Sequence, residues 1–158
     1  MTGRRSRRPG DDLSGYNIAP LTLSTGASGE FSAQISKDET QISYELSYSG
    51  FGSDVTQAHI HFGRTAVVGG VSAFLCTNLG NGPAGTPACP PSPGTVTGTL
   101  TASSVIGPVA QGIAPGEFAE LVRAIRAGAT YADVASVNFP AGEIRDQIDS
   151  AKGREDEE

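Results

Sequence analysis

The two histidines of the chain, His59 and His61, lie one residue apart in "QAHIHFG". Side chains on a β-strand alternate between faces, so both imidazoles would project from one face, with Cα atoms about 6.5–7 Å apart, and Ile60 from the other. Neutral imidazole is a ligand for zinc and copper, and two so placed can share one ion. Such ions ask for a third and usually a fourth ligand at about 2.0–2.3 Å. With no third histidine in the sequence, a carboxylate has to complete the set; Asp54, Asp133 and Glu143 are the candidates, with Glu143 or Asp133 the expected choice. The competing reading keeps the pair structural, hydrogen-bonded to neighbouring strands or lining a polar cleft.

A second group stands in "AGEIRDQI". Strand alternation puts Glu143 and Arg145 on one face and Ile144 and Ile148 on the other. Arg145, with its planar fork of donors, suits an anion or carboxylate, so Glu143 and Arg145 are candidate binding residues. The alternative is an ion pair knitting strands, worth under about 1 kcal/mol if exposed. Nucleophilic catalysis finds no support: there is no Gly-x-Ser-x-Gly elbow, and the glycine-rich "NLGNGPAG" lacks the Lys-Ser/Thr ending of a phosphate loop. The residues give no convergent catalytic set, and the expectation is a protein that is not an enzyme.

These side chains need strands to hold them. In "TQISYELSYSG", Ile42, Tyr44, Leu46 and Tyr48 alternate with polar residues, the period of a half-buried antiparallel strand. "YNIAPLTL", "GEFSAQIS", "VTQAHIHFG", "GGVSAFLC" and "GTVTGTLTASSVIG" read as further strands, the last with a threonine-rich outer face. "TYADVASVNFPAGEIRDQI" reads as two strands around a turn. One stretch changes period: "PGEFAELVRAIRAG" places Phe118, Leu121, Val122 and Ile125 on one helical face and ends at Gly128. Seven or eight short strands with one helix predict an all-β fold, an antiparallel β-sandwich or flattened barrel with one inserted amphipathic helix. A parallel sheet would need a crossover helix between most strands.

Cys76 and Cys89 bracket a loop rich in turn residues. A disulfide there would close it, stabilise by about 3 kcal/mol on the chain-entropy estimate and imply an oxidising compartment. Two reduced thiols are the alternative; the spacing is wrong for a zinc knuckle or redox pair. Charge is unevenly placed. Arg4, Arg5, Arg7 and Arg8 crowd the start and residues 155–158 are all acidic, while residues 11–150 carry five basic against thirteen acidic side chains. So acidic a body repels phosphate backbones and argues against nucleic acid. "RRSRR" is followed by polar residues rather than the apolar run of an export signal, and no stretch reaches the roughly 20 apolar residues of a membrane span. The expected organisation is a basic disordered tail over 1–14, one β-domain over 15–150 and an acidic disordered tail over 151–158.

"ISYELSYSG", "QAHIHFG", "GGVSAFLC", "IRAGATY" and above all "FPAGEIRDQI", in that order between Ile18 and Ile148, resemble a chordin-type (CHRD) domain. The resemblance implies secretion, an extracellular or periplasmic location, and a non-catalytic binding or structural module with a protein or glycan partner. It also exposes departures. Asp133 and Ala135 stand where the family usually has Asn and His, and Asp146 where it usually has Gly. The sandwich with a His-x-His strand and a cystine loop is loosely similar to copper/zinc superoxide dismutase, but two histidines cannot furnish the ligands of two metals. Three readings result: an exported binding or structural module, a copper or zinc protein built on His59 and His61, and an enzyme of unknown reaction at the same face.

Overall fold

The computed structural model describes residues 12–148; the arginine cluster and the acidic end, read above as tails, lie outside these residues. The elements are β1 (Leu13–Ser14), β2 (Ser28–Ile35), β3 (Ile42–Ser49), β4 (Val55–Phe62), β5 (Gly70–Thr77), β6 (Gly94–Leu100), α1 (Phe118–Arg126), β7 (Thr130–Ser136) and β8 (Ile144–Gln147). They form one eight-stranded sheet in the order β5-β4-β7-β8-β1-β2-β3-β6, with every pairing antiparallel. The sheet curls into a nearly closed barrel. The β5 edge is tied to β3, which lies beside the opposite edge strand β6, where the Tyr44 hydroxyl donates to the Leu75 carbonyl at 2.6 Å. The expected all-β class with one helix is what the chain adopts.

Alternation positions the core as anticipated. Ile42, Tyr44, Leu46 and Tyr48 turn inward on β3, Val96 and Leu100 on β6, and Ala58, Ile60, Ala132, Val134 and Ile144 on β4, β7 and β8. Helix α1 buries Phe118, Leu121, Val122, Ala124 and Ile125. It ends in a Schellman arrangement: Gly128, at φ +71°, donates to the Ile125 carbonyl and Ala129 to that of Ala124. Full burial of an apolar side chain stabilises by about 1.5–3 kcal/mol, so this helix face is what fastens α1 to the barrel.

Three expectations are corrected. "YNIAPLTL" is no strand: the first strand is Leu13–Ser14, and a 3-10 turn follows over Gly15–Asn17. Both Ile18 and Leu23 donate their N–H to the Gly15 carbonyl, Pro20 has no N–H for a ladder, and Tyr16 and Leu21 are exposed. A tail ending at residue 14 therefore runs too far, because Leu13 is buried in the sheet. In "GTVTGTLTASSVIG" the strand stops at Leu100, where Thr101 and Ser104 form a reciprocal capping box over Ala102–Ser104.

Candidate metal centre

Strand β7 is buried along its whole length. Ala132 and Val134 face the barrel core, whereas Tyr131, Asp133 and Ala135 face outward beside the polar side of β4. The β4–β7 register sets His59 opposite Asp133 and His61 opposite Tyr131, and the β7–β8 register sets Asp133 opposite Arg145. His59 and His61 share one face, as the alternation requires, with ring centroids 5.4 Å apart.

Asp133 lies between the two imidazoles. Its Oδ1 is 3.6 Å from His59 Nδ1, and its Oδ2 is 3.1 Å from His61 Nε2. One ligand atom from each of the three residues can be chosen so that all lie within 4.8 Å of one another. Two atoms bound at about 2.0–2.1 Å to a tetrahedral ion lie roughly 3.3–3.4 Å apart, so the observed nitrogen–oxygen separations bracket that edge.

The far side of each ring fixes its polarity. His61 Nδ1 is 2.8 Å from the Gly69 carbonyl oxygen, which can only accept, so Nδ1 carries the proton. His59 Nε2 is 3.2 Å from Gln57 Oε1, another acceptor, so Nε2 carries the proton there. In their neutral forms both rings therefore aim a lone pair at the Asp133 carboxylate. Two lone pairs and an anion in a buried site repel one another unless a metal ion or a proton on an imidazole sits among them. His61 Nε2 and Asp133 Oδ1 are both buried without a hydrogen-bond partner, and the 3.1 Å contact lacks the alignment of a hydrogen bond. Outer partners that lock the tautomer of each imidazole are the usual support of a metal site.

The same contacts shift the titrations of His61 and Asp133 toward a charged pair. Burial alone would depress the His61 imidazole, but the contact with Asp133, the charge of that carboxylate and the Gly69 carbonyl outweigh it and hold the pKa above 6.5. Burial alone would raise Asp133; the two imidazoles outweigh that and hold it below 3.8. His61 also lies parallel to the Tyr131 ring and His59 edge-on to Phe74, so both candidate ligand rings are clamped by aromatic neighbours.

The other sequence candidates fall elsewhere. Asp54 is exposed, and Glu143 is buried but accepts a hydrogen bond from the Ser136 hydroxyl at 2.6 Å, away from the cluster. Arg145, also buried, lies over the Tyr131 ring, 3.4 Å from its centre, and donates to the Arg64 carbonyl at 2.8 Å. Glu143 and Arg145 thus take different partners rather than forming an exposed ion pair. Cys76 and Cys89 are joined by a disulfide. Gln57, Gly69 and Tyr131 had no place in the sequence reading. Gln57 and Tyr131 stand two residues before His59 and Asp133, on the same strand faces, which is the one local signal that could have pointed to them.

An antiparallel barrel with one helix and a cystine loop defines the class as a small all-β domain. The family model for the CHRD domain matches residues 11–148, and the chain belongs to that family. No curated protein and no solved structure matches it. The family is generally one of non-catalytic modules. The disulfide and the family fit an extracellular location, and among the described residues no helix is long and apolar enough to cross a membrane.

Proposed function

We propose that this chain is an exported, non-catalytic binding module whose binding centre is a transition-metal site, with zinc or copper held by His59 Nδ1, His61 Nε2 and the Asp133 carboxylate. The carrying observation is the polarity of the two rings: each outward nitrogen is committed to a carbonyl oxygen, so both inward lone pairs and a buried carboxylate meet at one point. Nitrogen and oxygen donors of this kind suit zinc and copper(II) better than calcium or magnesium, which prefer all-oxygen shells. Three protein ligands leave a fourth position to water or to a donor from a bound partner.

The test is titration of metal-stripped protein with zinc and with copper(II), followed by calorimetry and by the imidazole resonances. One-to-one binding tighter than about 1 μM, with both imidazoles shifting together, is expected. A His61→Ala variant that binds either ion as well as the parent would refute the site. The broader reading, a module presenting loops to a protein or glycan, is supported by the family and by the cystine-braced loop between β5 and β6.

A further inference from the structure

Gln57 is itself held by another side chain. Asn81, in the cystine loop, donates from Nδ2 to Gln57 Oε1 at 3.1 Å, the same oxygen that accepts from His59 Nε2. Asn81 Oδ1 accepts from the Thr77 hydroxyl at 2.6 Å, and Thr77 Oγ1 accepts from the backbone N–H of Leu79 at 3.1 Å. The Leu79 N–H can only donate, and the observed bonds run in one sense from it to Thr77, Asn81 and Gln57. The Leu79 amide occupies one acceptor site of the Thr77 hydroxyl, and the hydroxyl proton goes to Asn81 Oδ1. That fixes the Asn81 carboxamide with Nδ2 toward Gln57, which fixes Gln57 with Oε1 toward His59, which in turn puts the His59 proton on Nε2 and the lone pair on Nδ1.

We propose that Asn81 is a positioning residue for the metal centre, acting through Gln57 to keep the His59 Nδ1 lone pair turned toward Asp133. This rests on the metal-site reading above. Asn81→Asp keeps an acceptor for Thr77 but has no proton for Gln57. The Gln57 amide then turns its NH2 group to the new carboxylate and so toward His59 Nε2 as well. His59 answers with the other tautomer, Nδ1–H, which cannot ligate through that nitrogen. An added carboxylate acting through space alone would strengthen cation binding, so the relay and simple charge predict opposite signs.

The experiment compares the parent, Asn81→Asp and Gln57→Glu, each metal-free and at a pH above the imidazole titrations, by the nitrogen resonances of His59, and then titrates each with zinc chloride. The parent and Gln57→Glu should show His59 as the Nε2–H tautomer, because a glutamate accepts on both sides. Asn81→Asp should show Nδ1–H. Its zinc affinity should fall about 10–100-fold, the usual size of an effect on an outer partner of a ligand histidine. An Asn81→Asp protein still in the Nε2–H form, or one with the tautomer changed and zinc affinity intact, overturns the proposal. A parent that binds no zinc would defeat the metal reading alone, since the tautomers of the metal-free proteins still decide the relay.

Discussion

The Tyr131 ring lies parallel to the His61 imidazole, with 2° between the planes and 4.7 Å between centroids. Tyr131 also takes the Arg145 guanidinium, 3.4 Å from its ring centre, and its hydroxyl oxygen accepts the Gly69 N–H at 3.1 Å. Arg145 stands opposite Asp133 in the strand register, yet its guanidinium packs on this ring. The tyrosine holds the arginine in a cation–π contact while orienting a candidate ligand.

Tyr131→Phe keeps both stacks and loses the hydroxyl. It should cost about 1 kcal/mol in denaturant unfolding and leave zinc affinity close to that of the parent. Tyr131→Ala empties a buried aromatic site, should cost about 3–5 kcal/mol, and frees the His61 ring, lowering zinc affinity about 10–100-fold. Unchanged zinc binding in the alanine variant would show that the stack does not orient His61.

The pKa shifts set the pH response of the metal-free protein. His61 is raised above 6.5 in the folded state, so its pairing contributes fully below 6.5 and is lost as pH rises through the folded value. Asp133 is lowered below 3.8, so its contribution is present above 3.8 and is lost as pH falls through its folded value. Both shifts describe largely one interaction, which stabilises between those two titrations and fades above the upper one. Zinc works the other way, because the metal must displace the proton on His61 Nε2. Thermal scans of metal-free protein should show Tm falling as pH rises past the His61 titration, and the increment added by zinc growing over the same interval. A zinc increment constant with pH would mean that no imidazole proton is released.

Much of this was legible in local pattern. The alternation of β3 and β6, the helical stripe of Phe118, Leu121, Val122 and Ile125, and the shared face of His59 and His61 all follow from periods of 2 and 3.6 residues. Which carboxylate joins the histidines was not local. Asp133 meets His59 because β4 and β7, distant in sequence, pair in one register, whereas Glu143 on the neighbouring strand is taken by Ser136. The two-residue strand Leu13–Ser14 has too few residues to show a period, whereas the apolar Tyr16 and Leu21 mimic a strand pattern although both are exposed. The outer partners of the rings were hidden for a similar reason: Gly69 contributes a backbone carbonyl, which no side-chain pattern announces.

Closure of the barrel depends on Gly98. A Cβ there would lie 2.5 Å from the Tyr44 hydroxyl oxygen, the group that ties β3 to the Leu75 carbonyl on β5. Gly98→Ala should push this ring aside, leave the buried carbonyl unpaired and cost about 1–3 kcal/mol. Tyr44→Phe removes the same hydrogen bond without the clash, and its cost should be the smaller. If Gly98→Ala unfolds at the denaturant midpoint of the parent, the Tyr44 tie is not part of the closure.

The loop closed by the disulfide carries Asn81, whose amide donates to Gln57 beside the candidate metal centre. Cys76 is buried on β5, and Cys89 is held further by Asn78, which accepts from the Cys89 N–H and donates to the Cys89 and Val55 carbonyls at 3.0–3.1 Å. A Cys76→Ala/Cys89→Ala protein should lose about 3 kcal/mol, the value for a loop of this size. Asn81 lies within that loop and fixes the proton of His59 through Gln57, so a loosened loop should also weaken zinc binding, with His59 sampling both tautomers. Lower stability with unchanged zinc affinity would instead mean that the three hydrogen bonds of Asn78 suffice to hold Asn81 in place. Loss of both together would make the oxidised state of the loop a requirement for a competent metal site, tying its function to an oxidising compartment.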